Sequence, residues 1–211
     1  VATINFPTLS RYPDKINFSP ISNTQRHQSP LSGSIQTKEI PGTRWKVVLQ
    51  YGILWEDDIR KLQAFLAEMN GMAGRCHLWD LSRETPRGVG TGTPLVKGGS
   101  QTGKTLNTDG WTPNQTGILL AGDYFEVNSE IKRMTANVNS DGSGNATLQF
   151  GPELRVSPSD NDPVKVNFSM SSQSASKFML IDDNQDKLMI EGTRDLKVCK
   201  NIVLTFIEQW L

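Results

Sequence analysis

Only one stretch of this chain, residues 56–69, carries the period of an amphipathic helix. There Ile59, Leu62, Phe65, Leu66 and Met69 recur at helical spacing and fall on one face. Glu56, Asp57 and Asp58 occupy the first turn, where the helix dipole favours negative charge, and Gly71 supplies a stop. Elsewhere 18 glycines and 11 prolines, with many Ser, Thr and Asn residues, cut the 211-residue chain into short pieces. Such punctuation leaves room for strands and turns but not for helices. The chain is therefore expected to be mainly β, with one helix packed by one face on a sheet.

Strands are expected on both sides of the helix. Residues 33–39 (GSIQTKE) alternate weakly, and residues 44–51 (RWKVVLQY) place Trp45, Val47 and Leu49 on one face. Residues 75–81 (RCHLWDL) read as a short strand. Residues 198–210 (VCKNIVLTFIEQW) are rich in β-branched and aromatic side chains, as a central strand requires. From about residue 85 to 170 the texture changes. Glycine is dense over 88–103, then short strands follow at 119–128, 131–138 and 146–150, with Asp141-Gly142 as a hairpin signal. Close-set strands of this kind build a small barrel or sandwich. Pro152, Pro158 and Pro163 mark its exit. Residues 178–181 and 187–191 flank Asp182, Asp183 and Asp186 and read as a further hairpin. The expected organisation is a β-sandwich-like domain from residues 1–85 and 171–211, with a small β-barrel or sandwich domain, 86–170, inserted between them.

Composition narrows the function. Lys and Arg number 22, and Asp and Glu number 22, so no global charge draws the chain to nucleic acid. No apolar run approaches the roughly 18 residues of a spanning helix, and no leader pattern is visible at residues 1–15, so membrane insertion is not expected. Cys76 and Cys199 make no disulfide framework, and a reduced, buried pair is expected. His27 and His77 have no metal-spaced neighbours.

One motif matches a nucleotide-binding pattern letter for letter. Gly98-Gly99-Ser100-Gln101-Thr102-Gly103-Lys104-Thr105 fits G-x-x-x-x-G-K-[ST], and the run 178–182 (FMLID) resembles its metal-binding partner strand. The pattern works only where the loop opens a helix, whose N–H groups and dipole hold the phosphates. The residues that follow, LNTDGWTPN, contain Asp-Gly and Pro and exclude a helix, so a glycine-rich surface loop is expected. The carboxylates at 56–58, at 160 and 162, and at 182, 183 and 186 fit a helix start and polar turns; the last set lacks the central Gly and closing Glu of a Ca²⁺ loop. Cys76 and His77 are adjacent, so a strand would point them to opposite faces. Trp45, Trp55, Trp79 and Trp210 sit in or beside apolar elements, whereas Trp111 lies among polar residues and is the one expected to face a partner. No catalytic, cofactor-binding or metal site is assigned, and no enzymatic activity is expected.

The order of several segments then becomes informative. SPLSG with the following QT and PGTRW, the helix with GMAGR and WDL, QTGKTLNTDGW, and GDYFEV with DGSGNA and GPELRVSP occur in succession. This arrangement resembles the distal tail protein family of long-tailed, non-contractile bacteriophages and prophages. The resemblance implies a structural virion protein that forms a ring, a hexamer in the usual plan, joining the tail tube to the tip or baseplate hub. It implies a ring-forming β-sandwich-like domain with one helix and a peripheral β domain. Its implied partners are further copies of itself, the tail tube protein and the hub protein, with the tape measure or receptor-binding proteins as further neighbours. DNA would pass through a neutral or mildly acidic lumen without specific binding. The location would be the virion tail, after assembly in the host cytoplasm, with no catalytic residues and no cofactor. Residues 1–34, polar and proline-rich, are expected to form an arm on the adjacent subunit. The competing expectation is a carbohydrate- or receptor-binding module of the tail tip, with Trp111 and Tyr124 stacking on the ligand.

Overall fold

A computed structural model describes residues 3–169, 176–183, 188, 190–193 and 196–209. Its elements run β1 (Thr3–Asn5), β2 (Lys15–Ile21), β3 (Thr24–Gln28), β4 (Ile35–Glu39), β5 (Arg44–Trp55), α1 (Glu56–Met69), β6 (Arg75–His77), β7 (Gly92–Val96), β8 (Gly103–Trp111), β9 (Tyr124–Val127), β10 (Glu130–Met134), β11 (Ala146–Leu154), β12 (Lys177–Leu180), β13 (Ile190–Thr193) and β14 (Leu196–Glu208). The protein is mainly β with one α-helix, as its punctuation requires.

The first sheet has the order β1-β6-β12-β14-β5-β2, with β13 also paired to β14. Its axis is the long antiparallel pair of β14 and β5, from Val198↔Trp55 to Ile207↔Lys46. Alternation along β5 buries Trp45, Val47, Leu49 and Tyr51 on one face, where β14 adds Ile202, Leu204 and Phe206. Helix α1 lies on that face and seals it with Ile59, Leu62, Phe65, Leu66 and Met69. The helix ends at Asn70, whose left-handed backbone (φ 48°) turns the chain ahead of Gly71 (φ 63°). The stop thus falls one residue before the expected glycine, because asparagine tolerates that conformation.

The second sheet has the order β7-β8-β11-β10-β9. It curls until one backbone segment pairs with both edges. Val164 N–H donates to Pro94 O (2.9 Å) beside β7, and Lys165 and Glu126 exchange both backbone bonds (2.7 and 2.9 Å) beside β9. The result is a small closed barrel, filled by Val96, Leu106, Phe125, Val127, Leu148 and Phe150. Asn128 and Ser129, both at positive φ, form the tight turn between β9 and β10. Asp141 Oδ1 accepts from Ser143 N and Asn145 N (2.8 Å each), so the Asp-Gly turn forms where expected.

Three expectations need correction here. Residues 3–21, within the expected arm of 1–34, belong to the first sheet instead: β1 pairs in parallel with β6, β2 pairs with β5, and Ile4, Phe6 and Phe18 are buried. Strand 75–81 stops at His77; Leu78, Trp79 and Leu81 are buried without continuing it. Residues 178–181 and 190–191 do not pair with each other. β12 and β13 both lie along β14, at Phe178↔Glu208 and Ile190↔Cys199. The expected turn at Asp186, like Trp210, lies outside the described residues. Cys76 and Cys199 are buried and form no disulfide. Cys76 aligns with Phe178 and hence with Glu208, nine residues along β14 from Cys199, or roughly 30 Å at strand rise.

The joint between the two sheets is continuous core. Tyr124 and Ile131 on the barrel join the hydrophobic cluster of the first sheet. Trp45 organises the contact: its ring stacks on Phe18 (4.7 Å), meets Tyr124 edge-on (5.8 Å), and donates its indole N–H to Ile131 O (2.8 Å). Beside it lies a buried ionic cluster. Lys132 (0% exposed) contacts Glu130 at 2.6 Å, and Arg155 reaches Glu208 (1% exposed) at 2.5 Å and Glu130 at 3.5 Å. Two carboxylates and two cations neutralise each other there. Burial pulls the Lys132 ammonium below its ordinary range, against the neighbouring Glu130.

Candidate interaction surfaces

The connection from β2 to β5, residues 22–43, folds back as the β3–β4 hairpin, paired from Thr24↔Glu39 to Gln28↔Ile35. All ten of its strand residues are exposed, and Leu31 at the tip is 99% exposed. The base is closed by Ile40 N–H to Asn23 O (2.8 Å) and the tip by Ser29 N–H to Ser34 O (2.9 Å). It touches the barrel through Lys104 and Glu39, 3.2 Å apart. An isolated two-stranded ribbon is marginal in water, since neither face is covered. This ribbon shows Gln25, His27, Gln36 and Lys38 on one face and Thr24, Arg26, Gln28, Ile35, Thr37 and Glu39 on the other. The strand expected over 33–39 therefore forms over Ile35–Glu39, but its partner is 24–28, and it stands outside the sheet.

Residues 98–105 make a loop that enters β8 at Gly103, so Lys104 and Thr105 are extended and no helix follows. Gln101 organises the loop from within. Its Nε2 donates to Lys97 O, Gly98 O and Asn107 O (3.0, 2.9 and 3.2 Å), while its Oε1 accepts from Asn107 N (2.7 Å). Asp160 Oδ1 accepts from Gly98 N (2.7 Å). The loop's centre is filled by its own glutamine, and the lysine that would meet a phosphate is held by Glu39. The arrangement offers no phosphate cradle.

The carboxylates of the sequence serve local structure. Asp58 is buried and accepts from Ser10 N (3.0 Å) and from the Ser10 hydroxyl, tying the chain before β2 to the helix. Glu56 bonds Arg60 (2.6 Å), which holds its carboxyl below the ordinary range. Asp183 Oδ1 accepts from Met72 N (2.8 Å), and Asp162 Oδ2 from Ser159 N (2.7 Å). His27 stands on the exposed ribbon and His77 on β6, on the face opposite buried Cys76, whose thiol burial pushes up. Among the described residues no group of His, Cys, Asp and Glu could hold a metal ion.

The two aromatics expected to stack on a ligand are not available. Trp111 is 3% exposed and donates its indole N–H to Thr108 Oγ1 (2.7 Å); Tyr124 is 4% exposed and packs between the sheets. Trp111 belongs to the barrel core, so its polar neighbours misled. A groove of about 690 Å³ on the barrel is lined by Lys97, Asn107, Asn139, Asp141, Asn145 and Thr147 with no aromatic floor. Trp55, placed in the core by the sequence, is exposed instead, as are Ile53 and Val203. Alternation on β5 breaks at Gly52, opposite Asn201 (φ 53°), which turns Trp55 outward. Gly52 was the one signal for it.

No protein-family model matches the chain, and no curated protein matches it in sequence.

Proposed function

We propose that the chain is a structural subunit of a bacteriophage tail, of the distal tail kind, that closes into a ring between the tail tube and the tip or baseplate hub. The observation that carries the reading is the β3–β4 ribbon: ten exposed strand residues joined by backbone bonds, touched by the other described residues through the Glu39–Lys104 pair but not covered by them. A ribbon without a core is ordered at a profit only against another surface. A second copy of the chain is a partner always present, and one repeated heterologous contact closes into a ring when the rotation fits. The open edges of the first sheet, β1 and β2, add further backbone groups for such a contact. The arm is thus residues 22–43 rather than the expected residues 1–34. In this reading the work is assembly, without catalysis or cofactor, in the virion tail. The tube and hub proteins are its neighbours, and DNA passes the lumen unbound.

The test is native mass by light scattering across a concentration series, with electron microscopy of the same sample. Six copies of the 23.4 kDa chain make a particle of about 140 kDa. Replacing residues 22–43 by a short glycine-serine linker should abolish the ring and leave a folded monomer. A full-length chain that stays monomeric at every concentration and also fails to join purified tail tubes overturns the proposal, and so does a ring that forms without the ribbon.

A further inference from the structure

We infer that Glu126 makes the joint between the barrel and the first sheet acid-strengthened: protonated, it seats the barrel firmly, and ionised, it loosens it. Glu126 lies on β9 between Phe125 and Val127, which point into the barrel. Its own side chain points outward yet is 3% exposed, on the face that carries Tyr124 and Ile131 into the first sheet's core cluster. Its antiparallel partner is Ile131, which shares its face and belongs to the first sheet's core. Two residues earlier Tyr124 packs on Phe18 and Trp45. The carboxyl therefore sits in the seam itself.

The seam is poorly equipped for a charge. Glu126 Oε1 is 3.8 Å from Lys165 Nζ, too far for a hydrogen bond, and Lys165 is partly solvent-facing. Glu126 Oε2 has no hydrogen-bond partner. Only one other buried side-chain atom among the described residues shares that condition, Trp79 Nε1, and its ring stacks on Phe168 in the same core cluster. The other charged or titratable groups nearby are engaged elsewhere. Arg133 covers the Trp45 ring (5.4 Å), Arg83 covers Tyr124 (5.9 Å), Asp80 accepts from Ser82, and Asp123 accepts from the backbone of Arg87, Gly88 and Leu120. An ionised Glu126 is thus a buried charge with one weak counter-charge, and such a group keeps its proton well above the ordinary carboxylate range. Burial pushes this carboxyl up to about 7, against the pull of Lys165.

The sign follows from linkage. The closed joint holds a proton that the open joint, with an ordinary carboxyl near 4.5, has released. Opening therefore becomes about tenfold easier per pH unit between those two values and levels off above the higher one. The joint is tightest below pH 4.5 and loosest above pH 7. The readout is amide hydrogen exchange, corrected for intrinsic rates, at pH 5.0 and 7.5. Protection over 124–134 and 163–168 should fall on the order of a hundredfold, whereas α1 should change far less. Glu126→Gln, which keeps size and polarity, should remove this difference and protect the seam at pH 7.5. Carbon-13 NMR of the glutamate carboxyls gives a second reading, independent of folding of the variant. A Glu126 carboxyl titrating near 4, or seam exchange with the same pH dependence in Glu126→Gln, overturns the inference.

Discussion

The buried ionic cluster gives the sharpest test of how the two sheets are held. Consider Arg155→Met, which keeps the side chain's length and removes its charge. Arg155 is 12% exposed at the side chain, so solvent does little to screen its partners. Glu130 is well provided for after the change. It keeps Lys132 at 2.6 Å and the backbone N–H groups of residues 155 and 156 at 3.1 Å each. Glu208 is not. It loses its guanidinium at 2.5 Å and keeps, among the described residues, the Trp45 N–H at 3.0 Å and the weaker pull of the Lys132 ammonium. Breaking one partner out of a buried pair costs about 3–5 kcal/mol. The remaining N–H places this case near the lower end, at about 3 kcal/mol. For a chain of this size that lowers Tm by roughly 6–12 °C. Adding Glu208→Gln removes the stranded charge and keeps an acceptor for Trp45, so the double variant should recover about 2 kcal/mol of the loss. Urea unfolding followed by circular dichroism measures all three proteins. A single variant costing under about 1 kcal/mol, or a double variant no better than the single, would refute the argument that Glu208 is stranded by the loss of Arg155.

Trp45→Phe removes the donor to Ile131 O while keeping an aromatic ring against Phe18, and should cost about 1–3 kcal/mol in urea unfolding. Lys104→Ala should change stability by no more than about 1 kcal/mol, since its bond to Glu39 is exposed at both ends. Equilibrium dialysis with ATP and Mg²⁺ should show no binding by the wild-type chain, and saturable binding lost in Lys104→Ala would restore the nucleotide reading. Gln101→Ala should raise amide exchange at Asn107, whose N–H the glutamine holds, without moving the barrel's global stability.

What the sequence made legible follows the range of the interactions. Helix α1 was readable because its five apolar residues obey a local period, and β5 and β14 because alternation or β-branched density marks each strand by itself. The refusal of a phosphate loop also rested on local chemistry, the Asp-Gly and Pro after Lys104. Pairing was not legible. β1 and β2 are short and hold few apolar residues, and only β6 and β5 make them sheet. The chain before and after Asp182 looks like a hairpin, yet β14 is long enough to take β12 and β13 one after the other along one edge. Trp111 and Tyr124 were misplaced for the same reason. Trp111 is buried in the barrel core and Tyr124 against Phe18 and Trp45, and neither packing leaves a trace in the neighbouring letters.

The pairing of β5 with β14 also sets an order for synthesis. All of the barrel's strands and its closing segment lie within residues 92–165, so the barrel can form as soon as that stretch has emerged. The first sheet cannot. Its central strand pairs residues 198–207 with 46–55, across the whole barrel. Until then α1 has its apolar face uncovered and β5 has a bare edge. Long-range closure of this kind is slow and leaves sticky surface exposed while it waits. A ribosome that pauses before residue 196 would thus hold a finished barrel beside an unfinished sheet, and expression of the chain should depend on chaperones chiefly through its first 77 residues.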